Sequence, residues 1–137
     1  MQKNPFNGAN IGFDNTGSGL SSTNIQDAIN EVNNKSAVNT ISCTNNTTYI
    51  LNADTHISVF EIGKMLIFQG WCQVSTEIPT FETAYTLSGV SIGFYQYVYL
   101  LKTTGETYKM NVNNNILQVV DRAVPAGYYS IFGIVVE

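Results

Sequence analysis

Three long stretches of this sequence alternate, residue by residue, between two sets of side chains. They run from Lys64 to Thr76, from Ser91 to Leu101 and from Tyr128 to Val136. Successive side chains of a β-strand point to opposite faces of a sheet, so a period of two predicts strands. In the first stretch, one face is purely apolar: Leu66, Phe68, Cys72 and Val74. The second half of the chain is therefore predicted to be β-structure.

Uncharged polar residues dominate the rest of the composition. The chain has 16 Asn, 14 Thr and 10 Ser, whereas charged residues make up only 12%. Such residues favour turns and strand surfaces over helix interiors. The three alternating stretches and several shorter β-rich runs add up to eight or nine strands. This number of strands predicts a jelly-roll-like β-sandwich over residues 40–137. The last strand is apolar on both sides, which predicts burial on both, and a subunit interface would cover one of them.

One segment near the N-terminus predicts a helix over residues 23–36. Thr23 and Asn24 are equally good N-caps. An apolar stripe follows at helical spacing: Ile25, Ala28, Ile29 and Val32. An isolated helix of about 11 residues is marginal in water, so the stripe must pack on something. Either the chain's own β-body or the same helix of neighbouring subunits would cover it. The Gly- and Asn-rich residues 1–22 before it predict an extended N-terminal arm.

Charge and hydropathy argue against several classes of function. The net charge is −4, and the six basic residues are scattered, so nucleic-acid binding is not expected. No apolar run approaches the length of about 20 residues that a membrane helix needs. The first eight residues contain no apolar segment of a signal peptide, which predicts synthesis in a cytoplasm without secretion. Cys43 and Cys72 are then expected to be free, buried thiols.

Motifs that carry chemistry are weak here. Gly89-Val90-Ser91-Ile92-Gly93 matches the nucleophile elbow of serine hydrolases, but a strand pattern follows it where the elbow needs a helix. The single histidine, His56, comes before the serine and cannot form an imidazole metal site alone. We therefore predict no catalytic residue, no metal and no cofactor. The best candidates for contact with a glycan or receptor are aromatic, with the core or a subunit interface as the alternative location: Trp71, Tyr95, Tyr97 and Tyr99.

The stretch from Gly12 to Val32 contains Asp14-Asn15, Ser18-Gly19-Leu20 and Thr23-Asn24-Ile25-Gln26-Asp27-Ala28-Ile29-Asn30-Glu31. It resembles a segment common in phage tail-fibre and baseplate proteins, which reads approximately aromatic-Asp-Asn-x-x-Ser-Gly-Leu-x-Ala-Thr-Asn-Val-Gln-x-Ala-Ile-Asp-Glu-Leu. The resemblance covers 21 of 137 residues. The departures are small: Ser22 for Ala, Asn30 for Asp and Val32 for Leu.

This resemblance implies a homotrimer in the tail of a phage or prophage virion. The arm would lead into a short three-helix bundle and contact other tail proteins, and the stripe would become the trimer interface: Ile25, Ala28, Ile29 and Val32. Residues 40–137 would form a tip domain that recognises a host-surface glycan or protein. The alternatives are a purely structural joint of the virion and a bacterial adhesive head of the complement or tumour-necrosis-factor type.

Overall fold

The computed structural model describes residues 7–137, without the side chains of Phe94 and Tyr95. The chain divides into two compact units, Met1–Ala37 and Val38–Glu137. The first unit holds the helix and the second holds the sheet.

The helix of the first unit, α1, spans Ile25–Ser36 and confirms the predicted helix. Asn24 is the N-cap, because its side-chain oxygen accepts from the Asp27 amide at 2.9 Å. Before α1 lie a 3₁₀ turn at Gly8–Asn10 and an isolated bridge between Gly12 and Asn24. The described part of the predicted arm is thus hydrogen-bonded to the residues that lead into the helix.

The second unit is built of nine strands joined mostly by tight turns. Their bounds are β1 (Val38–Ile41), β2 (Cys43–Asn45), β3 (Ile50–Ile62), β4 (Met65–Val74), β5 (Thr83–Leu87), β6 (Ile92–Lys102), β7 (Thr107–Asn114), β8 (Ile116–Val120) and β9 (Gly127–Val136).

All nine strands belong to one antiparallel sheet in the order β1-β3-β4-β9-β6-β7-β8-β5-β2. Its two edge strands are consecutive in sequence, separated by Ser42 alone. Val38 of β1 pairs with Ile62 of β3, whereas Cys43 of β2 pairs with Leu87 of β5. The chain therefore passes from one edge of the sheet to the other, and the sheet is nearly closed. The all-β body is confirmed, but its strands form one sheet and not the two sheets of the predicted sandwich.

The core lies inside this sheet and follows the predicted alternation. The apolar face of β4 is buried, as are Tyr129, Ile131 and Val135 of β9. The largest buried side chains include Tyr85, Tyr129 and Phe68. A two-sheet sandwich and a sheet that curls on itself both give each strand one inner face, so the same alternation fits either arrangement.

The two sides of β9 differ in burial. Tyr129, Ile131 and Val135 are buried, whereas the side chains on the other side are exposed in the single chain: Tyr128 55%, Phe132 48%, Ile134 64% and Val136 53%. The single chain therefore buries one side of the strand, and burial of the other side at a subunit interface stays a prediction.

Both cysteines are free thiols in the second unit, and only Cys72 is fully buried. Burial raises the pKa of the Cys43 thiol to about 12 and also raises the pKa of Cys72. Cys72 lies next to the hydroxyl of Tyr85 in the core. The two thiols are therefore poor nucleophiles and act as small apolar side chains.

The backbones of β3 and β4 approach closely at Gly70. The pairing of these strands shifts register between Leu51 and His56 of β3. Gly70 has φ 132°, and a Cβ built on it would overlap the His56 carbonyl oxygen and lie 3.0 Å from the Ile57 Cα. Only glycine fits at this position, because any side chain would push the two strands apart.

Candidate functional site

The predicted helix stripe forms one wall of an apolar groove in the first unit. Ala28 is buried, whereas Ile29 is 51% and Val32 49% exposed. The groove has a volume of about 490 Å³, and we call it the seam groove. It is lined by Phe13, Leu20, Ile25, Ala28, Ile29, Val32 and Asn33. All four residues predicted for the trimer interface thus share one surface, and Phe13 and Leu20, which were not predicted to be part of it, join them.

A small polar network fixes the arm against α1 and so completes the seam groove. The Glu31 carboxylate accepts from the Ser21 amide at 3.0 Å and from the Ser22 hydroxyl at 2.6 Å. Lys35 pairs with Glu31 at 2.8 Å and donates to the Gly19 carbonyl at 2.9 Å. Because Gly19 and Ser21 flank Leu20, these bonds hold that residue beside the helix.

This network makes the arm sensitive to acid. Hydrogen bonds from Lys35, then from Ser22 and Ser21, lower the pKa of Glu31 from 4.5 to about 2. A lowered pKa stabilises the folded arm above pH 4.5, and that stabilisation is lost as pH falls from 4.5 towards 2. We expect amide exchange at Ser21 and Ser22 to accelerate over this range. In Glu31→Gln, exchange should be faster at neutral pH and nearly independent of pH after correction for intrinsic rates; an unchanged profile would contradict the assignment.

A second apolar surface covers the outside of the sheet across β3, β4, β9 and β6. In the register of the sheet, Phe60 pairs with Ile67, Ile67 with Ile134, and Phe132 with Tyr99. The rings of Tyr99 and Phe132 stack with their centroids 5.6 Å apart. We call this surface the apolar outer face, and its members are Phe60, Ile62, Met65, Ile67, Tyr99, Phe132, Ile134 and Val136.

The apolar outer face is as large as the largest apolar patches of typical monomers. A large aromatic side chain covers about 150–250 Å², so these eight partly exposed side chains leave roughly 500 Å² of apolar area. The largest apolar patch of a typical monomer is about 300–600 Å² and is often functional. A specific interface buries about 800 Å² on each partner. The face therefore supplies more than half of what a stable interface needs, and none of its members is charged.

The four aromatic residues predicted to contact a ligand do not lie at one place. Trp71 is 55% exposed, and its ring lies 4.9 Å from that of His56. Tyr97 and Tyr99 are half-buried on the outer side of β6, while the side chain of Tyr95 is outside the described residues. Strand β9 separates Trp71 on β4 from the tyrosines on β6. Tyr97, Tyr99 and Trp71 are thus surface residues of the single chain, and their contact with a ligand stays a prediction.

The weak chemical motifs gain no catalytic surroundings. Ser91 is exposed and directly precedes β6, so a strand follows it. Across residues 7–137, His, Cys, Asp and Glu side chains form no group of three that would hold a metal ion. No helix in the same range is long and apolar enough to cross a membrane.

Comparisons of the chain with protein-family models, with curated proteins and with solved structures give no significant match. The apolar pattern on both sides of the last strand marked Phe132, Ile134 and Val136, which are exposed in the single chain. The pattern did not show which of its two sides faces the core.

Proposed function

We propose that this chain is a non-enzymatic homotrimeric module of a phage or prophage tail fibre or baseplate. Its β-body would be a tip domain for recognition of the host surface, and its N-terminal arm would contact other tail proteins. The observation that carries the proposal is the seam groove, in which the four stripe residues of α1 are gathered with Phe13 and Leu20, and in which Ile29 and Val32 are about half exposed.

The seam groove supports self-association because α1 is too short to be stable without a partner. The helix has 12 residues, and in the first unit only Ala28 of its stripe is buried. Ile29 and Val32 are about half exposed, although covering a side chain of this kind stabilises a protein by about 1.5–3 kcal/mol. Three copies of the helix packed along this stripe would cover these residues, and the resemblance of residues 12–32 to tail proteins favours a trimer over other assemblies.

The apolar outer face supports the same assembly from the second unit. Its members are uncharged, so copies of the apolar outer face from neighbouring subunits can meet without repulsion between like charges. In a homotrimer, contact between neighbouring bodies would remove Phe132, Ile134 and Val136 from water. Interfaces of permanent assemblies are typically rich in such apolar and aromatic side chains.

The assembly state of the purified chain is the first test of this proposal. Light scattering at micromolar concentration is expected to give three times the chain mass of 15.1 kDa. A stable species of 15.1 kDa would contradict the trimer. Mass spectrometry of purified phage particles from the host that carries the gene tests the location, because a tail component must be present in them.

A further inference from the structure

A cleft on the outside of β6, β7 and β8 lies apart from both the core and the apolar outer face. Its volume is about 590 Å³. In the register of the sheet, Tyr97 of β6 pairs with Asn111 of β7, and Asn111 pairs with Gln118 of β8. We call it the Phe81 cleft, and it is lined by Thr80, Phe81, Tyr97, Asn111, Val120 and Asp121.

Backbone strain is concentrated at this cleft. Among the described residues, three that are not glycine have left-handed φ values, and two of them, Phe81 (71°) and Asp121 (69°), border it. The third, Asn114, is the last residue of β7, and asparagine adopts such values several times more often than most residues. A bulky residue rarely adopts this conformation, and residues that do so cluster at ligand-binding sites.

The left-handed conformation of Phe81 belongs to a turn, in which the Glu82 amide donates to the Pro79 carbonyl at 3.2 Å. The neighbouring strand holds this turn in place, because the Phe81 amide donates to the Val119 carbonyl at 2.8 Å and the Gln118 side-chain amide donates to the Phe81 carbonyl. The Phe81 ring is 70% exposed, so it contributes little to the core. Glycine would adopt the same backbone conformation without strain, so the phenyl ring is not needed for the turn and leaves an aromatic surface open to a ligand.

Polar groups in the cleft are arranged to accept hydrogen bonds. The Oδ1 atom of Asn111 is buried and, among the described residues, has no hydrogen-bond partner. The Asp121 carboxylate pairs with Lys109 at 3.0 Å, and the Lys109 ammonium lies 5.2 Å from the centre of the Tyr97 ring. Lys109 neutralises Asp121, so the cleft has no net charge for an ionic ligand to pair with.

We propose that the Phe81 cleft binds one neutral pyranose ring of a glycan. The Phe81 and Tyr97 rings would pack against the apolar C–H face of the sugar, since aromatic side chains combine a large apolar surface with defined geometry. Hydroxyl groups of the sugar would donate to Asn111 Oδ1 and to the free oxygen of Asp121. This inference deepens the proposed recognition of the host surface, and three copies in a trimer would gain affinity by avidity.

The test is a titration of the ¹⁵N-labelled full chain, followed by amide chemical shifts. The probes are D-glucose, D-galactose, N-acetylglucosamine and N-acetylgalactosamine at millimolar concentrations. We expect at least one of them to shift the amides of Phe81, Asn111 and Asp121. Phe81→Gly should preserve the fold, because glycine accepts the left-handed φ, and should weaken binding by about tenfold or more.

Tyr128→Ala is the matched control, because it removes another exposed aromatic ring, one that is 55% exposed on β9 and does not line the cleft. It is expected to leave sugar binding unchanged. The proposal is overturned if none of the four sugars shifts the cleft amides, or if Tyr128→Ala abolishes binding while Phe81→Gly does not. A monomer that still binds a sugar in the cleft contradicts the trimer and supports the cleft, whereas a trimer without sugar binding overturns the cleft alone.

Discussion

Ile29→Asp is expected to dissociate the proposed trimer into chains of 15.1 kDa at micromolar concentration. Ile29 lies in the seam groove and is 51% exposed in the single chain, so an aspartate there is hydrated when the chain is alone. In a trimer, three carboxylates would be withdrawn from water close to one another. Burying a charged group without a partner costs on the order of several kcal/mol, which is enough to dissociate a small assembly. Light scattering measures the change.

Asn30→Asp is the control for this substitution. It introduces the same charge one residue further along α1, at an exposed position that does not line the seam groove. The trimer should persist in this variant. If Ile29→Asp retains the wild-type mass, or if both variants dissociate equally, the seam groove is not the interface.

Gly70→Ala is expected to destabilise the β-body by about 3 kcal/mol or more, which is large against the total stability of a small domain. The new methyl group would overlap the His56 carbonyl oxygen, and this is a backbone atom that cannot rotate away. Strands β3 and β4 would have to separate at the place where their register shifts. Urea unfolding followed by circular dichroism measures the loss.

Gly89→Ala separates backbone strain from the clash. Gly89 also has a left-handed φ, of 76°, but a Cβ added there meets no atom within 4 Å. It should cost only about 1–2 kcal/mol, the usual cost of this conformation for a residue with a Cβ. Equal losses in the two variants would show that the close approach of β3 and β4 does not matter for stability.

Local patterns predicted the elements of this fold well. The alternation of Leu66, Phe68, Cys72 and Val74 identified β4 and its inner face, and capping chemistry placed the start of α1 at one of two residues. These features depend on neighbours a few positions away. The closing of the sheet depends on pairs such as Cys43 with Leu87, which are 44 positions apart, and alternation carries no information about them.

The candidate site was predicted less well, because it too depends on which strands, far apart in the sequence, lie next to one another. Alternation placed Tyr97 and Tyr99 on one side of β6 but did not say whether that side faces water. Trp71 was predicted to contact the same ligand, but β9 lies between β4 and β6 in the sheet and separates Trp71 from the tyrosines. Phe81 follows Pro79 in a stretch that the sequence marks only as an interruption between strands, and its backbone conformation has no signature in the alternation.

The position of β9 also determines when this protein can fold during its synthesis. This strand, residues 127–136, pairs with β4 on one side and with β6 on the other, and it is synthesised after the other eight strands of the sheet. Until then β4 and β6 each have an unpaired edge, and such edges pair readily with other chains. The nascent chain also lacks Phe132, Ile134 and Val136, so it has no complete outer face to offer a neighbour. Assembly between bodies through this face must therefore wait until β9 has been made and has paired with β4 and β6, and a delay at this step would expose the two edges to aggregation.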